Sequence, residues 1–194
     1  MFESLLERDA QTLLSADPRI VSYAVQAHRL IYWAPNQNGD LVKRQYTPDI
    51  VARDVDGQML IIEVKARHFA EAEAWRALEP YIRDAYARDH GARFIVLREL
   101  EIRQQPRLDN AKLMLAYRGP PDDVRAELLT QEAVNALGDE LDIDGVSGFL
   151  ESSAGLVRAR TFAALMRLAL RGAVTFDMSQ QLTRRSKILR GLNG

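Results

Sequence analysis

The chain has 194 residues, room for one medium domain or two small ones. With 47% hydrophobic and 27% charged residues it can build a core, which excludes disorder as its main state. A net charge of −1 singles out no partner, and the absence of cysteine excludes disulfides, thiolate zinc sites and cysteine nucleophiles. The most apolar stretch, residues 161–170, is interrupted by Arg167 and too short to span a bilayer, so no membrane association is expected. Met1-Phe2-Glu3-Ser4 has neither the basic nor the apolar region of a secretory signal, so a cytoplasmic protein is expected.

Residues 2–15 carry Phe2, Leu5, Leu6, Ala10, Leu13 and Leu14 at helical spacing, and Ala16-Asp17-Pro18 ends that helix. Residues 20–26 and 29–33, rich in β-branched and aromatic side chains, read as strands. The cluster from Pro35 to Asp40 is a turn, and 41–46 is a further strand. Asp56-Gly57 is a hairpin signal between residues 49–54 and the apolar run Met59–Lys65. The pattern then predicts one long helix over 69–89, bent at Pro80 and closed by His90-Gly91. A buried strand at 93–97 and a helix over 108–117 follow. Arg118-Gly119-Pro120-Pro121-Asp122-Asp123 is the clearest boundary. Beyond it the strand signal fades, leaving helices over 124–137, 146–151 and 156–170 and a short strand at 173–177. The order predicts an α+β fold: a domain over 1–118 with a mixed sheet flanked by helices, then a small helical, winged-helix-like domain over 119–194.

The informative stretch is Pro48-Asp49, thirteen residues, then Glu63-Val64-Lys65. Strand side chains alternate, so Glu63 and Lys65 share a face. A turn with an odd number of residues, with Val55 opposite Met59, sets Asp49 opposite Lys65 and on that same face. A strict two-residue Asp-Gly turn would set Asp49 opposite Val64, on the other face, so a three-residue or bulged turn is expected. Two carboxylates on one face suit Mg²⁺ or Mn²⁺. Such an ion polarises a phosphoryl oxygen and acidifies bound water, and an adjacent ammonium stabilises charge developing on phosphate. The bland alternative is a Glu63–Lys65 pair capping a strand at the surface. Only four of the 26 basic residues are lysine, so Lys65 stands where a compact charge is expected to matter.

Asp49, Glu63 and Lys65 together resemble the PD-(D/E)XK signature of restriction-endonuclease-like nucleases. Over residues 2–118 the chain also resembles the TnsA family, the endonuclease subunits of heteromeric transposases. The shared features are Ser4-Leu5-Leu6-Glu7-Arg8, the stretch from Asp17-Pro18 to Tyr23, Gln26, Tyr46-Thr47-Pro48-Asp49 and Glu63-Val64-Lys65. The helix containing Trp75 and the strand at 94–97 occupy the corresponding places. The resemblance implies a restriction-endonuclease-like fold with Glu7, Asp49, Glu63 and Lys65 as catalytic residues. Glu7, Asp49 and Glu63, with the Val64 carbonyl, would hold the metal, and Gln26 would support them. It further implies hydrolysis of double-stranded DNA at the 5′ ends of a transposon, with a transposase subunit and an ATPase regulator as partners.

From Ser152 onward the chain carries eight Arg or Lys against one acid, Asp177. That basic third is the pattern expected of a phosphate contact, and Arg184, Arg185, Lys187 and Arg190 at its end are the expected DNA-binding residues. His28, His68 and His90 are too scattered in sequence for a zinc site, although Arg67 and His68 follow Lys65 closely enough to reach a phosphate. Trp33 and Trp75 are expected in a core or an interface, and no Gly-x-x-x-x-Gly-Lys loop is present. Two rival readings remain: a stand-alone restriction, repair or phage nuclease of the same superfamily, and a catalytically silent DNA-binding assembly subunit.

Overall fold

The computed structural model describes residues 5–119, 123–137 and 141–191, with main chain alone at Arg190. Residues 2–4 of the predicted first helix, and Pro120 to Asp122 of the predicted boundary, lie outside the described residues. The chain forms two compact units. One comprises the residues up to 11 with 19–103, and the other comprises 12–18 with those from 104 onward.

Helix α1 (Leu5–Ala16) belongs to the first unit up to Gln11 and buries Leu6 and Ala10 on one helical stripe. Strand β1 (Ile20–Val25) is followed by β2 (Leu30–Pro35) and β3 (Leu41–Tyr46), then by β4 (Ile50–Asp54) and β5 (Met59–Lys65). A short helix α2 (Arg67–Ala70), a long helix α3 (Glu73–His90), strand β6 (Arg93–Arg98) and the single turn α4 (Glu99–Ile102) complete the unit. Four strands form a mixed sheet in the order β1-β4-β5-β6, antiparallel except for the parallel β5/β6 pair. Strands β2 and β3 pair only with each other, as a separate two-stranded ribbon. The architecture is α+β, a mixed sheet flanked by helices.

Strand β5 is buried continuously from Leu60 to Val64. It has a hydrogen-bonded neighbour on either side, which is why its sequence reads as an apolar run rather than an alternation. Around Ile61 the ribbon's Leu30, Tyr32 and Ala34 meet Ile82, Ala85 and Tyr86 of α3 and Phe94 of β6. The predicted helix over 69–89 is in fact two helices. The chain is extended at Ala72 (ψ 129°), and α3 runs on through Pro80. Gly91 ends α3 at φ 59°, donating to Ala87 O while Ala92 N–H reaches Tyr86 O, both at 3.1 Å. A left-handed residue at this position favours glycine.

The second unit contains α5 (Arg107–Leu115), α6 (Val124–Leu137), α7 (Ile143–Ala154) and α8 (Arg158–Leu170), with a two-residue pairing of β7 (Val174–Thr175) and β8 (Leu189–Arg190). Its core gathers Ile143, Val146, Leu150, Leu165 and Met166. Helix α5 falls in this unit, ahead of the Gly119-Pro120 step at which the sequence sets its boundary. Its buried Asn110 explains the attachment. The side chain donates to Gln180 O at 2.7 Å and accepts from Leu182 N–H at 2.9 Å. Helix α7 is longer than the predicted 146–151 because Asp142 caps its start, accepting from Gly145 N–H at 2.7 Å. Among the described residues no helix is long and apolar enough to cross a membrane.

Candidate functional site

The turn between β4 and β5 sets the site. Three residues, Val55, Asp56 and Gly57, close it, with Asp54 N–H donating to Gln58 O at 3.1 Å. The Asp54 carboxylate accepts from the N–H groups of Asp56 and Gln58, at 3.1 and 2.8 Å, and Gly57 takes φ 79°. An odd turn was expected, but the register differs by two residues from the expected one. Arg53 pairs with Met59 and Ile50 with Ile62, so Asp49 comes level with Glu63 rather than Lys65. A two-residue displacement preserves faces, and Asp49, Glu63 and Lys65 remain on one side.

Glu63 is the centre of this group. It is only 4% exposed, at the end of a strand whose preceding residues are apolar. One carboxylate oxygen accepts from the hydroxyl of Tyr46, the last residue of β3, and the other pairs with the Lys65 ammonium. That ammonium also lies 4.5 Å from the centre of the Trp75 ring on α3, a cation–π contact. Tyr46 is held edge-on against Tyr86 and Phe94. Asp49 accepts from Val64 N–H at 2.7 Å, so Val64 enters the site through its amide. The surface-pair reading of Glu63 and Lys65 does not describe so buried a carboxylate.

Asp49 is pushed up to about 6. Burial is the largest cause and the Glu63 charge the next; the Val64 hydrogen bond and Lys65 oppose them, and Glu7 adds a further upward push. Burial and the Glu63 carboxylate likewise hold the Tyr46 hydroxyl far above the usual phenol range, so it is a donor. Asp49 and Glu63 are the hard-oxygen residues that could hold a divalent cation here, since the Glu63 charge that adds to burial in pushing Asp49 up is charge a cation would neutralise. Glu7 acts on Asp49 electrostatically, but among the described residues no group of three or more His, Cys, Asp or Glu side chains is arranged to hold a metal.

Gln26 stands beside the site through its main chain. Its N–H donates to Asp49 O at 3.0 Å, its φ is 45°, and its side chain is exposed. Tyr46 belongs to the sequence motif, whose spacing assigns it no role. It is the one aromatic residue of the motif, placed three residues before the acid. His28 and His90, scattered in sequence, come together around Tyr86, whose hydroxyl lies 2.9 Å from His28 Nε2. His68 packs on Phe69, and Arg67 pairs with Glu71. Trp33 is 59% exposed on the ribbon, which excludes the core and leaves the interface of the two places expected for it.

Four of the eight cations in the basic C-terminal third are paired with carboxylates within its own unit. Arg158 pairs with Asp144 and Glu151, Arg160 with Asp123, and Arg167 and Arg171 with Glu127. All of these acids precede residue 152, so the asymmetry along the chain does not become one in space. Arg184, Arg185 and Lys187 are exposed on a segment whose main chain is fixed to the start of α7. Ile143 N–H donates to Ser186 O, Asp144 N–H to Arg184 O and Ile188 N–H to Leu141 O. The Arg190 side chain lies outside the described residues.

Compared with known proteins, the chain matches no family model and no curated sequence.

Proposed function

We propose that this chain is a Mg²⁺- or Mn²⁺-dependent DNA endonuclease of the PD-(D/E)XK kind, resembling TnsA. The observation that carries this reading is the meeting of Asp49, Glu63 and Lys65 on one face at the end of β5, around a buried carboxylate. The mixed sheet flanked by helices supports a restriction-endonuclease-like fold, and the helices α6, α7 and α8 that follow α5, with the short β7/β8 pair, support a winged-helix-like second domain. Asp49 and Glu63 would hold a divalent cation, with Glu7 contributing negative charge; when bound, it would supply Lewis-acid polarisation of the scissile phosphoryl group and acidify a water. The Lys65 ammonium, steadied on Trp75, stabilises charge developing on the phosphate. Tyr46 fixes Glu63, and the Gln26 and Val64 amides fix Asp49. The resemblance adds double-stranded DNA at transposon 5′ ends as substrate and a transposase and an ATPase regulator as partners; the cytoplasm as location rests on the N-terminal sequence alone.

One observation favours a silent scaffold instead: Glu63 has both oxygens engaged inside the fold, by Tyr46 and Lys65. A single experiment decides between the two. Nicking of a transposon-end duplex is measured with and without Mg²⁺, partners present, for wild type, Lys65→Ala and Glu63→Ala. The nuclease reading expects metal-dependent nicking lost in both variants. Equal nicking by all three removes it.

A further inference from the structure

The β2–β3 ribbon buries one face and leaves the other without a protein partner among the described residues. Leu30, Tyr32 and Ala34 point into the core with α3. The alternate residues Ile31, Trp33 and Leu41 are 50%, 59% and 66% exposed. Isolated exposed apolar residues are ordinary. Here three share the outer face of one ribbon, interleaved with cations. Lys43 is the cross-strand partner of Trp33, and Gln45, the partner of Ile31, accepts from Arg29 at 3.3 Å. Between residues 27 and 46 the one acid is Asp40, which sits in the turn and bonds Asn36. The outer face is therefore positive, with an indole at its centre.

We infer that this outer face is a contact surface for duplex DNA. The inference rests on the nuclease reading above and adds the element that would hold the substrate beside the site. A two-stranded ribbon is one of the shapes that B-DNA's major groove admits. Lys43 and Arg29 supply phosphate contacts, and Trp33 supplies an apolar plate against the sugar or base edge. The ribbon is continuous with the site, because β3 ends at Tyr46, whose hydroxyl holds Glu63. Six residues of strand run about 20 Å, or roughly six base-pair steps. The duplex within that distance of the scissile phosphate would lie on the ribbon. A second copy of the chain fits less well, since a two-fold contact through this face would set Lys43 and Arg29 against like charges.

The test uses the full chain and a fluorescently labelled transposon-end duplex in Ca²⁺ across a salt series. Wild type, Trp33→Ala, Lys43→Ala and Asp49→Ala are compared, with thermal unfolding as the folding control. Trp33→Ala is expected to bind roughly ten-fold more weakly. Lys43→Ala is expected to lower the slope of log affinity against log salt by about one. Both should melt like wild type, because the side chains are exposed. Wild-type affinity and slope in both variants overturn the inference, as does a loss of dimer or of binding to anionic vesicles in Trp33→Ala with duplex binding unchanged. Asp49→Ala, assayed separately for nicking in Mg²⁺ with partners present, separates the two readings. Nicking that survives this substitution sinks the nuclease while the ribbon result still stands, and a wild type that does not bind duplex sinks both.

Discussion

A carboxylate as buried as Glu63 needs a donor on each oxygen, and Tyr46 and Lys65 provide one apiece. Tyr46→Phe keeps the edge-on packing against Tyr86 and Phe94 but strips one oxygen of its donor. The expected cost is about 2 kcal/mol, read from urea unfolding; a change under a few tenths would mean that water or a shifted Lys65 substitutes fully. Asp49 gives a pH signature. Its folded pKa of about 6 lies above that of the unfolded chain, so the folded state keeps a proton that the unfolded state has lost. Asp49 therefore lowers metal-free stability progressively as pH rises from about 4 to about 6. Asp49→Asn should melt higher than wild type in EDTA at pH 7.5, by a margin that vanishes near pH 4. A margin independent of pH would show that the carboxyl does not titrate in that window. Mg²⁺ should raise the wild-type melting temperature at pH 7.5 and do little for the variant. The shared face of Asp49, Glu63 and Lys65 was legible because strand alternation is a local rule. Tyr46 was not, because its link to Glu63 joins β3 to β5, and no local spacing reports a contact between strands of different sheets.

At the level of elements, α6 and α8 are tied by charge as well as by packing. Burial pushes Glu127 up, but hydrogen bonds from Arg171 and Arg167 outweigh it and hold the carboxyl below the usual range. Arg167 is itself mostly buried. Glu127→Ala would leave it without its counter-charge, at an expected cost of about 3–5 kcal/mol in chemical denaturation. A loss below about 1 kcal/mol would mean that Arg167 escapes to solvent. The elements most legible in sequence were those whose limits are chemically marked. Strand β5 runs from the Asp-Gly turn to its terminal charges, and α3 stops at His90-Gly91. The break between α2 and α3 falls at Glu71-Ala72, two good helix formers, so propensity gave no sign of it. Strand β8 has two residues and exists by pairing with β7, and α4 is a single turn stabilised by Glu101 accepting from Arg98 N–H. Neither is long enough to show a period.

Across the whole molecule, the basic third illustrates how charge along a chain differs from charge on a surface. A count by sequence assigns eight cations to the region after residue 151, yet four arginines already have carboxylate partners from earlier in the chain. The Asp123–Arg160 pair is two-pronged, and its hydrogen bonds hold the Asp123 carboxyl down to about 2. Such paired guanidiniums release few counterions on meeting DNA, because their charge is spent within the fold. The exposed Arg184 and Arg185 differ: their backbone is anchored to α7 and their side chains face solvent. The double variant Arg184→Ala/Arg185→Ala should therefore weaken duplex binding and reduce the salt slope by about two. Arg160→Ala should leave the slope where it was, because removing a neutralised cation also frees Asp123 and makes the surface more negative without deleting a phosphate contact. Fluorescence anisotropy over a range of salt reads both variants. A slope that falls equally for all three arginines would mean that DNA competes successfully with Asp123 for Arg160, and that the basic third acts as a whole. A slope that does not move for any of them would place the phosphate contacts elsewhere on the chain.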